Sequence, residues 1–337
     1  MKQDMNRMLI EATIRRVLKN IQESPERAVR NLVDLGLEFS DGRFQKQFLR
    51  TTQKMLRNQE SAYYSLVRNV IDTVDPDILT TFGVNLGYNG CTKGAKKIRE
   101  IEAEQGFNIP WSLSLSLNEE KLVADPGFYP DLLRQGVSLG IYTYVLFTLG
   151  NPEKVIPLIQ GEPDCAFVFF LRGHQITDSF LAKMKGIKNV MFAVYDNEHA
   201  PSACQMLRES KQLYSVYLRY TAKDKERILS EEWFESILPM KPAFVILRTD
   251  EHDQPELRRS IYQHVIAVRN SQQYPFILMD LKYDVLAIDR IVSDGECVAG
   301  FDADGKLRTH EGINGEERFN IFSNSLERVL RAIQVSN

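Results

Sequence analysis

Cysteine and tryptophan are scarce in this chain, four and two residues out of 337. Cys91, Cys165, Cys204 and Cys297 form no Cys-x-x-Cys pair, and their spacing excludes a local zinc or disulfide framework. Cys165 and Cys204 read as small buried hydrophobes. The five histidines show no His-x-x-x-His or similar spacing, so no metal site is expected. Gly-x-Gly-x-x-Gly and Walker runs are missing, which excludes the familiar phosphate-cradling loops. No apolar run reaches the ~18–20 residues that span a bilayer. Residues 1–20 carry Asp4, Arg7, Glu11, Arg15, Arg16 and Lys19 throughout, unlike a signal-peptide core. Basic charge is not in excess: 42 Lys and Arg stand against 45 Asp and Glu, for a net charge of −3. Neither nucleic acid nor membrane is an expected partner, and the cytoplasm is the expected location.

What is present is an ordinary apolar fraction of 43%, enough for a sizeable core. Residues 1–75 read as helices only. Ile10, Ile14, Val17, Leu18 and Ile21 make one apolar stripe at helical spacing. Ser24-Pro25-Glu26 is a helix start, Gly36 a stop, and Asp41 the cap of a third helix. Asp75-Pro76-Asp77 marks a boundary. Beyond it, short β-rich runs alternate with helical stretches. The runs are 79–86, 109–117, 140–149, 166–171, 189–195, 213–220, 243–248 and 276–281. Helix candidates between them include 151–159, 177–184, 201–211, 223–237 and 254–272. This alternation predicts a parallel sheet in an α/β chain, a (β/α)8-like barrel of the TIM type, closed or open. A doubly wound sheet is the competing arrangement. In the second run, Ile109, Trp111, Leu113, Leu115 and Leu117 alternate with Ser112, Ser114 and Ser116. That places apolar groups against the helices and hydroxyls toward the lumen. Asp304-Gly305 reads as a hairpin turn between 298–301 and 306–309, followed by an amphipathic helix over 323–333. The expected units are a helical segment (1–75), the barrel (76–290), and a hairpin-plus-helix tail (291–337).

Two motifs carry a family resemblance. Val84-Asn85-Leu86-Gly87-Tyr88-Asn89-Gly90-Cys91 resembles the Cys-Asn-Leu-x-Cys-x-x-Cys loop of radical S-adenosylmethionine enzymes, with Val84 and Tyr88 at the first two cysteine positions and Cys91 at the third. Cys297-Val298-Ala299-Gly300, Asp304-Gly305 through His310, Asn320-Ile321 and Ser325-Leu326-Glu327-Arg328-Val329 resemble the SPASM tail of that superfamily, with His310 where a cysteine is expected. The resemblance covers about residues 78–337. It implies an open (β/α) barrel, with the first motif following strand one. It also implies a [4Fe–4S] cluster that three thiolates would hold. Here one cysteine remains. The Gly-Gly-Glu segment that binds S-adenosylmethionine is replaced by Leu117-Asn118-Glu119-Glu120. No cofactor is expected; S-adenosylmethionine and a cluster enter only if atypical ligands, such as Cys165 or Cys204, assemble in space.

In barrel enzymes the working face lies at the C-terminal ends of the strands. The candidate ligand-binding residues are Asn85, Tyr88 and Cys91 after strand one and Asn118 and Glu119 after strand two. Arg172, His174, Asp196, Asn197, His199, Arg219, Arg248, Asp250, Asp280 and Lys282 follow later strands. Arg172, Arg219 and Arg248 suit a carboxylate or phosphate. The competing reading is that the Asp, Asn and Thr residues cap the following helices. His174, His199 and Asp196 lack local spacing for a metal. Gly90 to Gly94 lead into a helix whose N-terminus could hold an anion, but a capped surface helix with solvated Lys93, Lys96 and Lys97 is the preferred reading, and Cys91 would meet His174 only across the mouth. The expectation is a cluster-free, catalytically silent relative that binds an anionic small molecule or peptide, or partners an active enzyme through the N-terminal helices. A non-radical enzyme acting on an anionic substrate and a radical enzyme with atypical ligands are the alternatives, so enzymatic activity stays open. The protein reads as bacterial.

Overall fold

The computed structural model describes residues 4–20, 25–39, 42–249, 255–293, 295–310 and 312–334. The expected caps Ser24 and Asp41 and the candidate Asp250 lie outside the described residues. Four helices come first: α1 (Met5–Asn20), α2 (Pro25–Phe39), α3 (Arg43–Met55) and α4 (Tyr63–Thr73). Gly36 does not stop α2 but lies inside it, against the Leu49 side chain of α3.

The expected first strand is helical. α5 (Pro76–Val84) runs into a π-helix (Asn85–Gly94) and on into α6 (Ala95–Gln105). Asp75 caps α5 by accepting the Asp77 N–H at 2.7 Å, and Pro76 occupies the first turn. Ile78 and Phe82, one helical turn apart, are buried against the sheet with Leu66 and Val74. An apolar run of this length is ambiguous between buried strand and buried helix. The cap at Asp75 and the spacing of Ile78 and Phe82 decide it.

The other seven expected runs are strands: β1 (Ser112–Ser116), β2 (Thr143–Phe147), β3 (Ala166–Leu171), β4 (Val190–Tyr195), β5 (Tyr214–Tyr220), β6 (Phe244–Thr249) and β7 (Ile277–Asp280). They pair in chain order and all in parallel. An eighth parallel strand, β8 (Ala299–Phe301), comes from the tail and lies on the free side of β1. β9 (Leu307–Arg308) and β10 (Ile313–Asn314) extend it antiparallel, through the expected Asp-Gly turn. The described sheet runs β10-β9-β8-β1-β2-β3-β4-β5-β6-β7, with no pairing between its two edges. It is a curled, open half-barrel.

Crossover helices cover the convex face. They are α7 (Glu119–Ala124), α8 (Phe128–Leu139), α9 (Ile156–Gly161), α10 (Asp178–Met184), α11 (Ala200–Glu209), α12 (Lys225–Leu229), α13 (Glu231–Ile237) and α14 (Pro255–Ser271); α15 (Leu281–Val292) lies across the open side instead. α16 (Leu326–Gln334) ends the described chain. Leu113, Leu115, Tyr144, Leu146, Phe167, Phe169, Phe192, Val216 and Leu247 meet these helices and form the main core. The period of two sends the intervening residues to the concave face. As the alternation predicts, Ser112, Ser114 and Ser116 are on that face.

Two devices close the half-barrel. At the N-terminal ends of the strands, α4 and α5 plug the concavity, with Ile78 and Phe82 against Ala166, Met191, Leu213 and Ala243. The N-terminal helices are tied to successive loops there. Arg7 pairs with Asp164 and Asp77 with Lys188. The Asp75 N–H donates to Lys211 O at 2.9 Å, and the Ala62 N–H to Gln272 O at 2.9 Å. Asn69 Nδ2 donates to Lys241 O at 3.2 Å. Laterally, α15 bridges from β7 to the β1–β8 side. Its N-terminal Leu281 packs in the concave cluster with Phe147 and Ile246. Near its far end, buried Asp289 accepts the N–H of Trp111, ahead of β1, at 3.2 Å and that of Cys297, ahead of β8, at 2.7 Å.

Candidate functional site

The candidate residues fall into two groups at opposite ends of the sheet. Because 79–86 is helical, Asn85, Tyr88 and Cys91 do not follow a strand at its C-terminal end. They sit on the π-helix, below the N-terminal ends of β2 and β3. Buried Asn85 donates from Nδ2 to Pro163 O at 2.8 Å and to Cys165 O at 3.0 Å, both ahead of β3. Its Oδ1 accepts from Arg7 and from Asn89 Nδ2, each at 3.2 Å. Tyr88 donates to Asp4 at 3.0 Å, under α1. Cys91 is 2% exposed, and burial pushes its thiol up to about 12. A meeting with His174 across the mouth is therefore excluded. The competing reading of an anion site at the start of α6 falls away as well, because the π-helix continues into α6 without a free N-terminus.

At the C-terminal end, the capping residues are tied down. Asn118 caps α7 by accepting the Lys121 N–H at 2.9 Å. Glu119 pairs with Lys154 at 2.6 Å, which holds its carboxyl below the usual range. Asp196 accepts from Arg227 at 2.6 Å and from Trp233 Nε1 at 2.9 Å. Asn197 accepts the His199 N–H at 3.1 Å. Asp280 caps α15 and accepts from the buried Tyr220 hydroxyl at 3.3 Å on the helix-covered side, where burial pushes it up to about 6. Lys282 donates to His310 O. The His174 and His199 rings lie edge to face at 6.0 Å, both exposed.

The arginines remain. Arg219 and Arg248 stand in register on β5 and β6, two residues beyond Tyr217 and Ile246 on the concave face, and Arg172 follows β3. Burial pushes the Tyr217 phenol up, and the positive charge of Arg248, Arg172 and Arg219 works against that rise. Sequence reasoning missed the rings around them. Phe147 and Phe170 have centroids 4.5 Å apart, Phe170 and Tyr217 4.7 Å, and Tyr217 and Tyr195 5.3 Å. The Arg248 guanidinium carbon lies 4.2 Å from the Phe147 centroid, a cation–π contact. Arg308, opposite Gly300 on β9, shares this face. The signal was in the sequence: Tyr217 and Arg219 are two apart on one strand, as are Ile246 and Arg248 on the next. A separate cavity of about 350 Å³ between α2 and α3, lined by Arg30, Asp34, Gln53 and Arg57 among others, shares no residue with this cluster.

The thiols do not fit a three-thiolate cluster site. Cys91 is on the π-helix, Cys165 ahead of β3, Cys204 in α11 and Cys297 ahead of β8, all buried and none at the C-terminal mouth. Burial raises each of them, favouring the protonated thiol over the thiolate that iron requires. No group of three potential metal ligands occurs among the described residues.

No family model and no curated protein matches this chain. Its fold does match the crystal structure of Streptococcus suis SuiB bound to S-adenosylmethionine, with a TM-score of 0.50 over 71% of this chain and 68% of that one, at 11% identity. The likeness is one of fold. It supports the radical S-adenosylmethionine-like barrel that the sequence resemblance implied. No helix of the described residues is long and apolar enough to cross a membrane.

Proposed function

We propose that this chain is a cluster-free, catalytically silent radical S-adenosylmethionine-like barrel that binds an anionic small molecule or peptide at the C-terminal mouth of its sheet. The placement of Arg219 and Arg248 side by side on the concave face, with the Arg248 guanidinium against the Phe147 ring, carries this reading. Guanidinium forks recognise carboxylates by paired, charge-assisted hydrogen bonds, and a partly dry, aromatic surrounding strengthens them. The cysteine placement argues the same way, since the one thiol left in the cluster motif is buried at the far end of the sheet from the arginines. Calorimetric titration with a panel of carboxylates and phosphates tests the proposal. Arg248→Ala should weaken the binding of any anionic ligand found by about tenfold or more. Arg134→Ala, which breaks only an exposed pair with Asp131, should leave it unchanged. Equal affinity in both variants would remove the mouth as the binding site.

A further inference from the structure

The concave wall also bears on what kind of anion fits, an inference that rests on the mouth being the binding site. Ser116, Phe147, Phe170, Ala193 and Ser215 stand in register across β1 to β5, one level of the wall. Tyr195, Tyr217, Ile246 and Met279 form the next level, and Arg219 and Arg248 the level above. Levels two residues apart are separated by roughly 7 Å. Arg248 therefore starts about 13 Å above the Phe147 level, yet its guanidinium carbon lies 4.2 Å from the Phe147 ring. The side chain folds down along the wall and brings its charge to the rings. Phe147, Tyr195 and Tyr217 are half-buried, so the ring surface is partly accessible. Ser114 and Ser116, also half-buried, continue the wall as small residues between Phe147 and Gly300.

We infer that the ligand is a compact planar aromatic acid, its ring against the half-buried Phe147, Tyr195 and Tyr217 and the Arg248 guanidinium, and its carboxylate toward Arg219. Rings and guanidinium planes both stack on flat π-faces, and a saturated body of equal size gains neither contact. Arg219 lies two residues, roughly 7 Å along the strand, beyond Tyr217, a spacing that favours one ring with a directly attached carboxylate over a long chain. The serines supply hydroxyls for polar groups on the ring edge.

The test compares benzoate, cyclohexanecarboxylate and benzyl alcohol by calorimetry and saturation-transfer NMR on the full chain. Benzoate should bind about tenfold more tightly than cyclohexanecarboxylate, and benzyl alcohol should not compete. Phe147→Leu, with its thermal midpoint checked against wild type, should bring the two acids to nearly equal affinity, and Arg219→Ala should weaken both. Should both acids bind alike in wild type and both depend on Arg219, the anionic mouth stands and the aromatic inference fails. If neither acid binds, or if binding ignores Arg219→Ala, both fail.

Discussion

Asn85 shows how a residue that matches a cofactor motif serves the fold instead. Its amide meets two backbone carbonyls ahead of β3 and accepts from Arg7 and Asn89, so its bonding capacity is taken up by structure. Asn85→Ala would leave the Pro163 carbonyl short of a donor, while Cys165 O keeps the bond from Asn189 Nδ2 at 3.1 Å. The expected cost is about 1–3 kcal/mol in urea unfolding, with ligand binding unchanged in the protein that remains folded. Cys91→Ala should be milder, about 1 kcal/mol for a small buried group, and should leave binding intact. Loss of binding in Cys91→Ala with normal stability would restore the motif to a functional role. The arginines differ from Asn85 in exposure: Arg172 and Arg219 are exposed and Arg248 is half-buried on the concave rim.

At the scale of elements, the π-helix is a tightly packed joint. Gly94 sits where a Cβ would come 2.3 Å from Gly140 O and 2.7 Å from Asn89 O, both backbone atoms that have little room to move. Gly94→Ala should destabilise by about 1–3 kcal/mol or more, read as a lower urea midpoint at unchanged slope. An unaffected midpoint would mean that the π-helix is not packed this closely. The sequence made some elements easy to read and hid others. The Ser-Leu alternation of β1 and the Asp-Gly turn after β8 are local signals, and both gave the right element. Residues 79–86 misled because a short apolar run suits either a buried strand or a buried helix. The ring surface stayed hidden for a related reason. Ala166 to Leu171 is apolar on both faces, so polarity could not tell which rings face inward. The bridge by α15 was illegible because Asp289 meets Trp111 across 178 positions of sequence.

For the whole molecule, that bridge links stability to pH. Burial lifts Asp289 to about 7 and Asp280 to about 6 in the folded chain, against an ordinary value near 3.8. The folded state therefore holds protons that the unfolded state has released at intermediate pH. This contribution to stability is full below about pH 4 and is lost as pH rises through the folded values, between about 4 and 7. Urea midpoints measured at about pH 5 and about pH 8 should fall with rising pH in wild type, and fall less in Asp289→Asn. A midpoint that rises over this range, or an equal fall in the variant, would contradict the assignment. The helices before the sheet tie down the loops that precede β3 through β7, so the proposed ligand would enter at the opposite, arginine-bearing end. The account rests most heavily on the absence of a radical-enzyme cluster from this barrel. Iron and sulfide content, with a UV–visible spectrum after oxygen-free purification and reconstitution, tests that directly. The account predicts no stoichiometric iron and no absorbance band near 400 nm; about four irons per chain with that band, as a [4Fe–4S] centre requires, would contradict it.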